Sequence, residues 1–297
     1  MNEFQFLRPV LTQHIIDRLI KGQSLNLYGP PGVGKTRLLE DIAAANLVDV
    51  QVIIVSFKGY QNSYQGFCQA VWVAAEIGGK PAKSLSHLMN AFHKNEKIIF
   101  FLIDDFKYLH DNPDVDSDYS QQFIDGLNSV SNMARVSLMT VTEEPANNVL
   151  IYIKKRPVAS SLNMTPLGIT TLSEKEISLE LERKGFSKFL DKKGQNRLVS
   201  HLLGTNCNYG FMEHLYPKLI SEANSGLPLY DRLKVWEKSY KKERRAHAIK
   251  SVDKSTRKMK GWVIVLNPFR QVINQLQRML KGPVSFVQNL LPQKDDN

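Results

Sequence analysis

A glycine-rich stretch at positions 29–36 reads Gly29-Pro30-Pro31-Gly32-Val33-Gly34-Lys35-Thr36. It fits the pattern G-x-x-x-x-G-K-[ST], in which a loop cradles the phosphates of a nucleoside triphosphate. Glycines let the backbone bend tightly, so that successive N–H groups point inward at anionic oxygens. Lys35 adds a mobile positive charge for the β- and γ-phosphates, and Thr36 offers a hydroxyl to Mg²⁺. The residues predicted to bind ATP are Gly29, Pro30, Pro31, Gly32, Val33, Gly34, Lys35, Thr36 and Arg37.

The residues on either side of this loop have the pattern that such a loop requires. The apolar run Leu25–Tyr28 predicts a buried strand, and residues 35–45 have the apolar spacing of a helix. The N-terminus of that helix would face the phosphates, where unpaired N–H groups favour anions. A Gly/Pro-rich turn could match the motif by chance, but strand, loop and helix in this order favour a phosphate-binding loop.

A second motif lies about seventy residues further along the chain. Residues 98–105 form an apolar run that ends in two carboxylates, Asp104 and Asp105. Such a run predicts a central parallel strand, buried on both faces and lying beside the phosphate loop. We expect Asp104 to hold Mg²⁺ through water and Asp105 to orient or deprotonate the attacking water. An Asp after a strand often only caps a turn, but the nearby loop favours the functional interpretation.

Strands alternate with helices over the first half of the chain. The predicted helices cover residues 8–22, 35–45, 63–77, 84–93, 121–134 and 147–155, and the predicted strands 25–28, 50–56, 98–105, 136–141 and 161–164. This alternation predicts an α/β fold, in which helices cover both faces of a parallel sheet.

A small helical module is predicted to follow the sheet. Ser173 and Glu176 have the spacing of a capping box, which marks a helix start. Further helices are predicted at residues 188–191, 196–203 and 210–225. The predicted domains are therefore a P-loop ATPase domain at 1–166, a helical lid at 167–225, and a basic, amphipathic C-terminal extension at 226–297.

Length and composition set limits on the class of protein. The chain has 297 residues, enough for one large and one smaller domain, with 42% hydrophobic and 23% charged residues. Its two cysteines, Cys68 and Cys207, lie far apart and indicate neither a zinc site nor a disulfide framework. The first residues show no signal-peptide pattern, and eighteen apolar residues nowhere run together. We therefore expect a cytoplasmic protein.

Positive charge is concentrated in one segment. The net charge is +10, and residues 234–260 contain eleven Lys or Arg against three acidic residues, a net +8. Such a block indicates contact with a polyanion or a solvated arm. We expect it to contact DNA phosphates, in a strongly salt-dependent way, with Trp236 and Tyr240 as candidates for base stacking.

The last residues predict amphipathic helices. Phe269, Val272, Ile273, Leu276, Met279 and Leu280 recur at helical spacing on one side, and a shorter apolar set occupies 284–291. Three interpretations stay open: packing on the ATPase domain, docking of a partner protein, or attachment to a membrane surface.

The two motifs and the order of elements resemble the AAA+ ATPases and their STAND relatives over residues 8–222. Within that set the chain is most similar to the compact ATPases that include origin-recognition initiators and transposon target-selection ATPases. The resemblance implies a homo-oligomer in which Thr142 senses the γ-phosphate and Arg156 reaches the ATP of a neighbouring subunit. The alternative interpretation of Arg156 is a surface arginine, with Lys155 and Arg135 as the other candidates for its role. The alternative interpretation of Thr142 is a turn threonine.

The chain departs from the family pattern in two places. Many AAA+ motors end the central strand in Asp-Glu rather than Asp104-Asp105, and the shorter side chain favours slow turnover or a binding switch. The segment 204–210 lies where the lid would carry a sensor arginine, yet it contains no cation.

Three functions follow from these observations. The first is an ATPase switch that binds Mg²⁺ and ATP, assembles on DNA, and recruits a partner protein through its C-terminal helices. The second is a STAND-type signalling or defence ATPase that gates an effector without DNA. The third is an ATPase attached to a membrane surface.

Overall fold

A five-stranded sheet lies at the centre of the computed structural model. The structure describes residues 6–109, 112, 114–148, 150–153, 156–206, 208–221 and 228–253. The strands are β1 (Leu25–Tyr28), β2 (Val50–Ser56), β3 (Ile98–Asp104), β4 (Val136–Thr142), β5 (Leu150–Ile153), β6 (Arg156–Ala159) and β7 (Thr165–Gly168). The helices are α1 (Pro9–Ile20), α2 (Lys35–Ala44), α3 (Tyr64–Ala74), α4 (Leu85–His93), α5 (Gln121–Asn128), α6 (Glu174–Arg183), α7 (Lys192–Leu203), α8 (Asn208–Ser221) and α9 (Leu229–Asp253).

The sheet has the strand order β2-β3-β4-β1-β7, and every neighbouring pair is parallel. Helices α3, α4 and α5 pack on one face, and α1 and α2 pack on the other. The predicted α/β fold, a parallel sheet between helices, is therefore confirmed. Strand β4 separates β3 from β1, so the acidic strand reaches the phosphate loop across an intervening strand rather than as its neighbour.

Strand β3 shows why a continuous apolar run belongs at the centre of a sheet. Successive side chains of a strand point to opposite faces. Ile99, Phe101 and Ile103 contribute to the core on the α3–α5 side, whereas Phe100 and Leu102 contribute to the core on the α1–α2 side. All five side chains are fully buried, because both faces of the sheet are covered.

The helices after β7 have a core of their own. Ser173 caps α6 in a capping box with Glu176, as predicted. Helix α9 joins this core through Leu233 and Trp236. Trp236 is only 3% exposed, so its proposed role in base stacking is wrong: the ring anchors α9 to the helices below it.

The predicted helix at 147–155 is wrong. Residues 150–153 (β5) and 156–159 (β6) pair as antiparallel strands instead, with Ile151 opposite Val158. Ile151 and Tyr152 belong to the β-branched and aromatic residues that favour strands. The pairing partner follows immediately in the chain, so cross-strand contacts override the weak helical spacing.

Other boundaries also differ from the expectations. The last strand of the sheet is β7 rather than 161–164, because Thr165–Gly168 are the residues that pair with β1; β7 thus crosses the predicted boundary at 166. Helix α5 ends at Asn128, and a 3-10 turn covers residues 129–132. The helix predicted at 188–191 is absent, because Asp191 caps the start of α7 by accepting a bond from the Gly194 N–H at 2.7 Å.

Several predictions lie outside the described residues: the apolar segments after residue 261, and the roles of Lys155 and Cys207. Cys68 is fully buried, as expected for a core cysteine, and burial raises the pKa of its thiol to about 11. Within the described ranges, every helix is too short or too polar to cross a lipid bilayer.

Candidate nucleotide-binding site

The loop at residues 29–34 joins β1 to α2, as the motif predicts. Gly32 and Gly34 have φ angles of 84° and 94°, in the left-handed region that only glycine adopts without strain. A Cβ atom on Gly29 would clash with the backbone oxygen of Ile169. These three glycines therefore have steric reasons to be glycine, and the loop they form curves over the N-terminus of α2.

Lys35 spans this loop. Its Nζ donates to the carbonyl oxygens of Gly29 and Pro30 at 2.6 and 3.0 Å. Burial lowers the pKa of Lys35, and the charge of Glu143 opposes that shift. The ammonium group is thus held at the open side of the loop, where a triphosphate would lie.

Thr36 and Asp104 come together although they are distant in the chain. The Thr36 hydroxyl donates to Oδ2 of Asp104 at 2.7 Å. Burial, and then the charge of Asp105, raise the pKa of Asp104. A hydroxyl and one carboxylate suit Mg²⁺, which proteins usually hold through one or two carboxylates together with substrate phosphates. Among the described residues, no cluster of three or more His, Cys, Asp or Glu side chains could hold a metal without such help.

Asp105 follows directly in a strained conformation. Its φ is 54°, which is uncommon for a residue other than glycine. Its N–H donates to Oδ1 of Asp104 at 2.7 Å, and its Oδ2 accepts from the Ser56 hydroxyl at 2.9 Å. Ser56, at the end of β2, was missed by the sequence analysis. The sequence did contain a signal for it, because Ser56 is a polar residue at the end of an apolar strand.

Thr142 ends β4 opposite Tyr28. It is buried, its hydroxyl donates to the Glu144 carbonyl at 2.6 Å, and it accepts from the Asn26 amide at 2.9 Å. Asn26 also binds the Ala146 N–H at 2.9 Å. This polar network, which the sequence analysis did not anticipate, fixes the turn after β4 beside the phosphate loop.

The two arginines considered for a neighbouring site lie in different places. Arg156 is exposed at the start of β6. Arg135 precedes β4 and binds the Glu96 carbonyl at 3.0 Å, at the amino edge of the sheet and therefore opposite the phosphate loop.

Arg37 faces the helical module rather than the open side of the loop. Its Nε donates to Oδ1 of Asp41 at 2.8 Å, and Asp41 also accepts from the Leu7 N–H at 2.8 Å. Arg8, another residue missed from sequence, donates to the carbonyls of Val33 and Thr170 at 3.3 and 2.6 Å. These buried contacts tie the chain before α1 to the loop.

The helical module touches the loop directly. The Gly210 N–H in the first turn of α8 donates to the Gly32 carbonyl at 2.8 Å. The ring of Tyr209 lies against Gly34, and a Cβ atom on Gly210 would clash with the hydroxyl of Tyr240 from α9. Segment 204–210 lies where the family pattern would place a sensor arginine. In this chain, backbone and aromatic contacts from Tyr209 and Gly210 meet the phosphate loop there instead.

Comparisons with known proteins agree with this geometry. Residues 25–150 match the model of AAA, the ATPase family associated with various cellular activities. Cdc6p from Pyrobaculum aerophilum is similar in structure with a TM-score of 0.52 and 15% identity, over 74% of this chain and 62% of that one. Drosophila ORC, solved bound to DNA, has a TM-score of 0.52 and 11% identity, over 77% and 60%.

Identities this low establish a shared fold and nothing finer, and the chain spans less than two thirds of the length of both structures. No curated protein matches it in sequence. The phosphate loop, the strand order and the family match identify residues 25–150 as an AAA-family P-loop ATPase domain, in a chain whose fold is like that of the origin-recognition ATPases.

Proposed function

We propose that this chain is an ATP-driven switch that binds Mg²⁺ and ATP at residues 29–37, hydrolyses ATP slowly and assembles on DNA. The observation that carries the proposal is the 2.7 Å hydrogen bond between Thr36 and Asp104 beside a loop bent by Gly32 and Gly34. That arrangement sets a hydroxyl, a carboxylate and a ring of backbone N–H groups around one small space. We propose that the division into sheet domain, helical lid and C-terminal extension serves this switch.

Each side chain has a defined task in this proposal. Lys35 and the loop N–H groups bind the phosphates, and Thr36 and Asp104 hold the metal ion. When bound, Mg²⁺ neutralises charge on the β- and γ-phosphate oxygens. Asp105 orients the attacking water and accepts its proton, with Ser56 keeping its carboxylate in place. Its side chain is one carbon shorter than glutamate, which supports slow turnover.

A second copy of the chain completes the site in this proposal. Arg156 is exposed on a hairpin outside the main sheet, where it can reach another molecule. A planar guanidinium stabilises charge that is spread over phosphate oxygens. Thr142 holds the turn after β4, and we propose that this turn responds to the γ-phosphate.

Helix α9 supports the proposal of DNA binding. One side of the helix packs through Leu233 and Trp236, and the opposite side carries exposed cations. The exposed cations of its described side chains are Lys234, Lys238, Lys241, Lys242 and Arg245. A fixed row of cations suits the regularly spaced phosphates of a duplex.

A chain of contacts connects this helix with the phosphate loop. Tyr240 of α9 packs on Gly210, and the Gly210 N–H binds Gly32. If the loop moves when nucleotide binds, these contacts would move α9 with it. For the segment after residue 261 we propose docking of a partner protein.

The decisive test combines calorimetry and imaging. The full chain is titrated with ATP and Mg²⁺, and is then imaged with a non-hydrolysable ATP analogue, with and without duplex DNA. We expect nucleotide binding and ring or filament assemblies that require both ligands. Lys35→Ala should abolish binding and assembly, because it removes the cation that spans the loop. No uptake of nucleotide by the parent chain would overturn the proposal.

A further inference from the structure

An ion pair that the proposed mechanism does not use lies at the carboxyl edge of the sheet, where the parallel strands end. Lys107 belongs to the 3-10 turn that follows β3, and Glu143 is the first residue after β4. The Lys107 ammonium group donates to Oε1 of Glu143, and both side chains are 39% exposed. Neither residue was singled out by the sequence motifs.

The pair lies close to the phosphate-binding lysine. Thr142 pairs with Tyr28, so the residues that follow them, Glu143 and Gly29, leave the sheet side by side. Burial lowers the pKa of Lys35; the charge of Glu143 opposes that shift and the charge of Lys107 adds to it, so both members of the pair act on the Lys35 ammonium group.

Lys107 is a cation in this setting. Desolvation lowers its pKa, but the hydrogen bond and charge of Glu143 outweigh that effect, so the pKa is raised. Lys107 therefore neutralises a carboxylate that would otherwise repel the phosphates of a bound nucleotide.

Stability alone does not explain an ion pair at this place. A solvent-exposed ion pair contributes little to folding, because water screens the charges and two long side chains lose freedom. A triphosphate, by contrast, offers Lys107 a more highly charged partner than a single carboxylate.

We propose that Lys107 and Glu143 form an exchange pair that makes the site prefer ATP to ADP. Lys107 binds Glu143 when the γ-phosphate is absent and turns to the γ-phosphate when ATP is bound. Glu143 opposes any highly charged nucleotide that Lys107 does not neutralise. This inference rests on the proposed nucleotide site, and it assigns specificity to residues outside both sequence motifs.

The test measures dissociation constants for ATP and for ADP, each with Mg²⁺, using the full chain without DNA. Lys107→Met should weaken ATP binding by about tenfold, the effect of losing one charged hydrogen bond, and should change ADP binding much less. Glu143→Gln should have the opposite sign and strengthen ATP binding, since it removes the competing carboxylate. Lys107→Arg should retain the preference for ATP.

Matched controls lie at the opposite edge of the sheet. Lys97 and Glu96 are exposed and directly precede β3, so Lys97→Met and Glu96→Gln make the same charge changes far from the loop. They should leave both dissociation constants unchanged. Melting temperatures of all variants show whether each is folded.

The outcomes separate this inference from the proposed function. If the parent chain binds ATP but neither substitution alters the ratio of ATP to ADP affinity, the exchange pair is wrong and the nucleotide site stands. The same holds if Lys107→Met and Glu143→Gln shift ATP affinity in one direction. If the parent chain binds neither nucleotide, both proposals fail.

Discussion

At the scale of single residues, the surroundings of Asp104 decide how readily its carboxyl group is ionised. The sequence predicts its identity as a carboxylate at the end of a strand, but not its protonation. Burial removes water from the carboxylate, and the adjacent charge of Asp105 repels it, so the pKa of Asp104 is raised. The Thr36 hydroxyl and the Asp105 N–H lower it in turn, by binding the ionised form. In our proposal Asp104 is a metal ligand and has to be ionised, so this balance would set the pH at which Mg²⁺ binds.

The first prediction concerns pH. Since the pKa of Asp104 is raised, Mg²⁺-dependent ATP binding should weaken on acidification at a higher pH than an ordinary aspartate would require. Asp105→Asn removes the second cause of the shift, so the midpoint of the pH profile should move to lower pH. Titration of a fluorescent ATP analogue across the acidic range measures both midpoints.

A suitable control for that substitution is Asp49→Asn. Asp49 also has a positive φ, of 57°, and is exposed at the amino edge of the sheet. Its replacement should leave the midpoint where it is in the parent chain. An unchanged midpoint in Asp105→Asn would mean that Asp105 does not act on Asp104.

At the scale of elements, the first turn of α8 is the point where the helical module meets the phosphate loop. The Gly210 N–H binds the Gly32 carbonyl at 2.8 Å, and Tyr240 covers the same glycine from α9. No side chain fits at position 210, since a Cβ atom there would lie 3.1 Å from the Gly32 Cα and would clash with the Tyr240 hydroxyl. The fit couples two helices to the loop without any cation.

The second prediction tests this contact. Gly210→Ala should lower the melting temperature and weaken ATP binding, because the added methyl group pushes α8 away from Gly32. Overpacking of this kind lowers the free energy of unfolding by about 1–3 kcal/mol. For a domain of this size, each kcal/mol lowers the melting temperature by about 2–4 °C. Differential scanning fluorimetry, with and without ATP, measures both effects.

Gly204→Ala is the matched control in the same module. Gly204 has a right-handed backbone, with φ of −75°, and the nearest atom to an added Cβ would be the His201 carbonyl oxygen at 3.5 Å. That is an ordinary van der Waals distance, so the variant should behave like the parent. If both variants lost ATP binding equally, the close contact of Gly210 with the phosphate loop would not be the cause.

At the scale of the whole molecule, the β5–β6 hairpin lies outside the main sheet and exposes Arg156. The structure shows no side-chain bond that would hold this arginine within the described part of its own chain. An arginine that acts on the ATP of another copy has to be available in this way. The hairpin is therefore the element on which assembly and hydrolysis would depend together.

The third prediction concerns Arg156. Arg156→Ala should bind ATP with parental affinity but lose hydrolysis by about 10³-fold, the effect of removing a finger arginine. A phosphate-release assay measures turnover. Neither variant should be active alone, but a mixed pair has one complete interface, in which the ATP-loaded loop of Arg156→Ala meets the intact arginine of Lys35→Ala. Mixing the two variants should therefore restore part of the activity.

Arg197→Ala provides the control, since Arg197 is an exposed arginine of α7. It should hydrolyse ATP like the parent. Parental turnover in Arg156→Ala, or no recovery in the mixture, would show that Arg156 does not act between copies.

Sequence-based prediction succeeded where local pattern and tertiary position agree. The loop at 29–36 and strand β3 were predicted because each is specified by consecutive residues. A helix was predicted at 147–155, where the structure has strand β5, because a short apolar spacing fits both structures and only the pairing of Ile151 with Val158 decides between them. Strand β7 was placed too early for a similar reason: its position depends on which residues meet β1.

The sequence by itself determined the parallel fold, the phosphate loop and the acidic strand end, because steric bending and hydrophobic periodicity act over neighbouring residues. Only the tertiary structure decided that Thr36 meets Asp104, 68 positions further along, and that Gly210 and the Lys107–Glu143 pair border the same loop. Parallel strands bring their carboxyl ends to one edge of the sheet whatever their separation in the chain. Which side chains become partners at that edge depends on strand order and packing, and these are properties of the folded molecule.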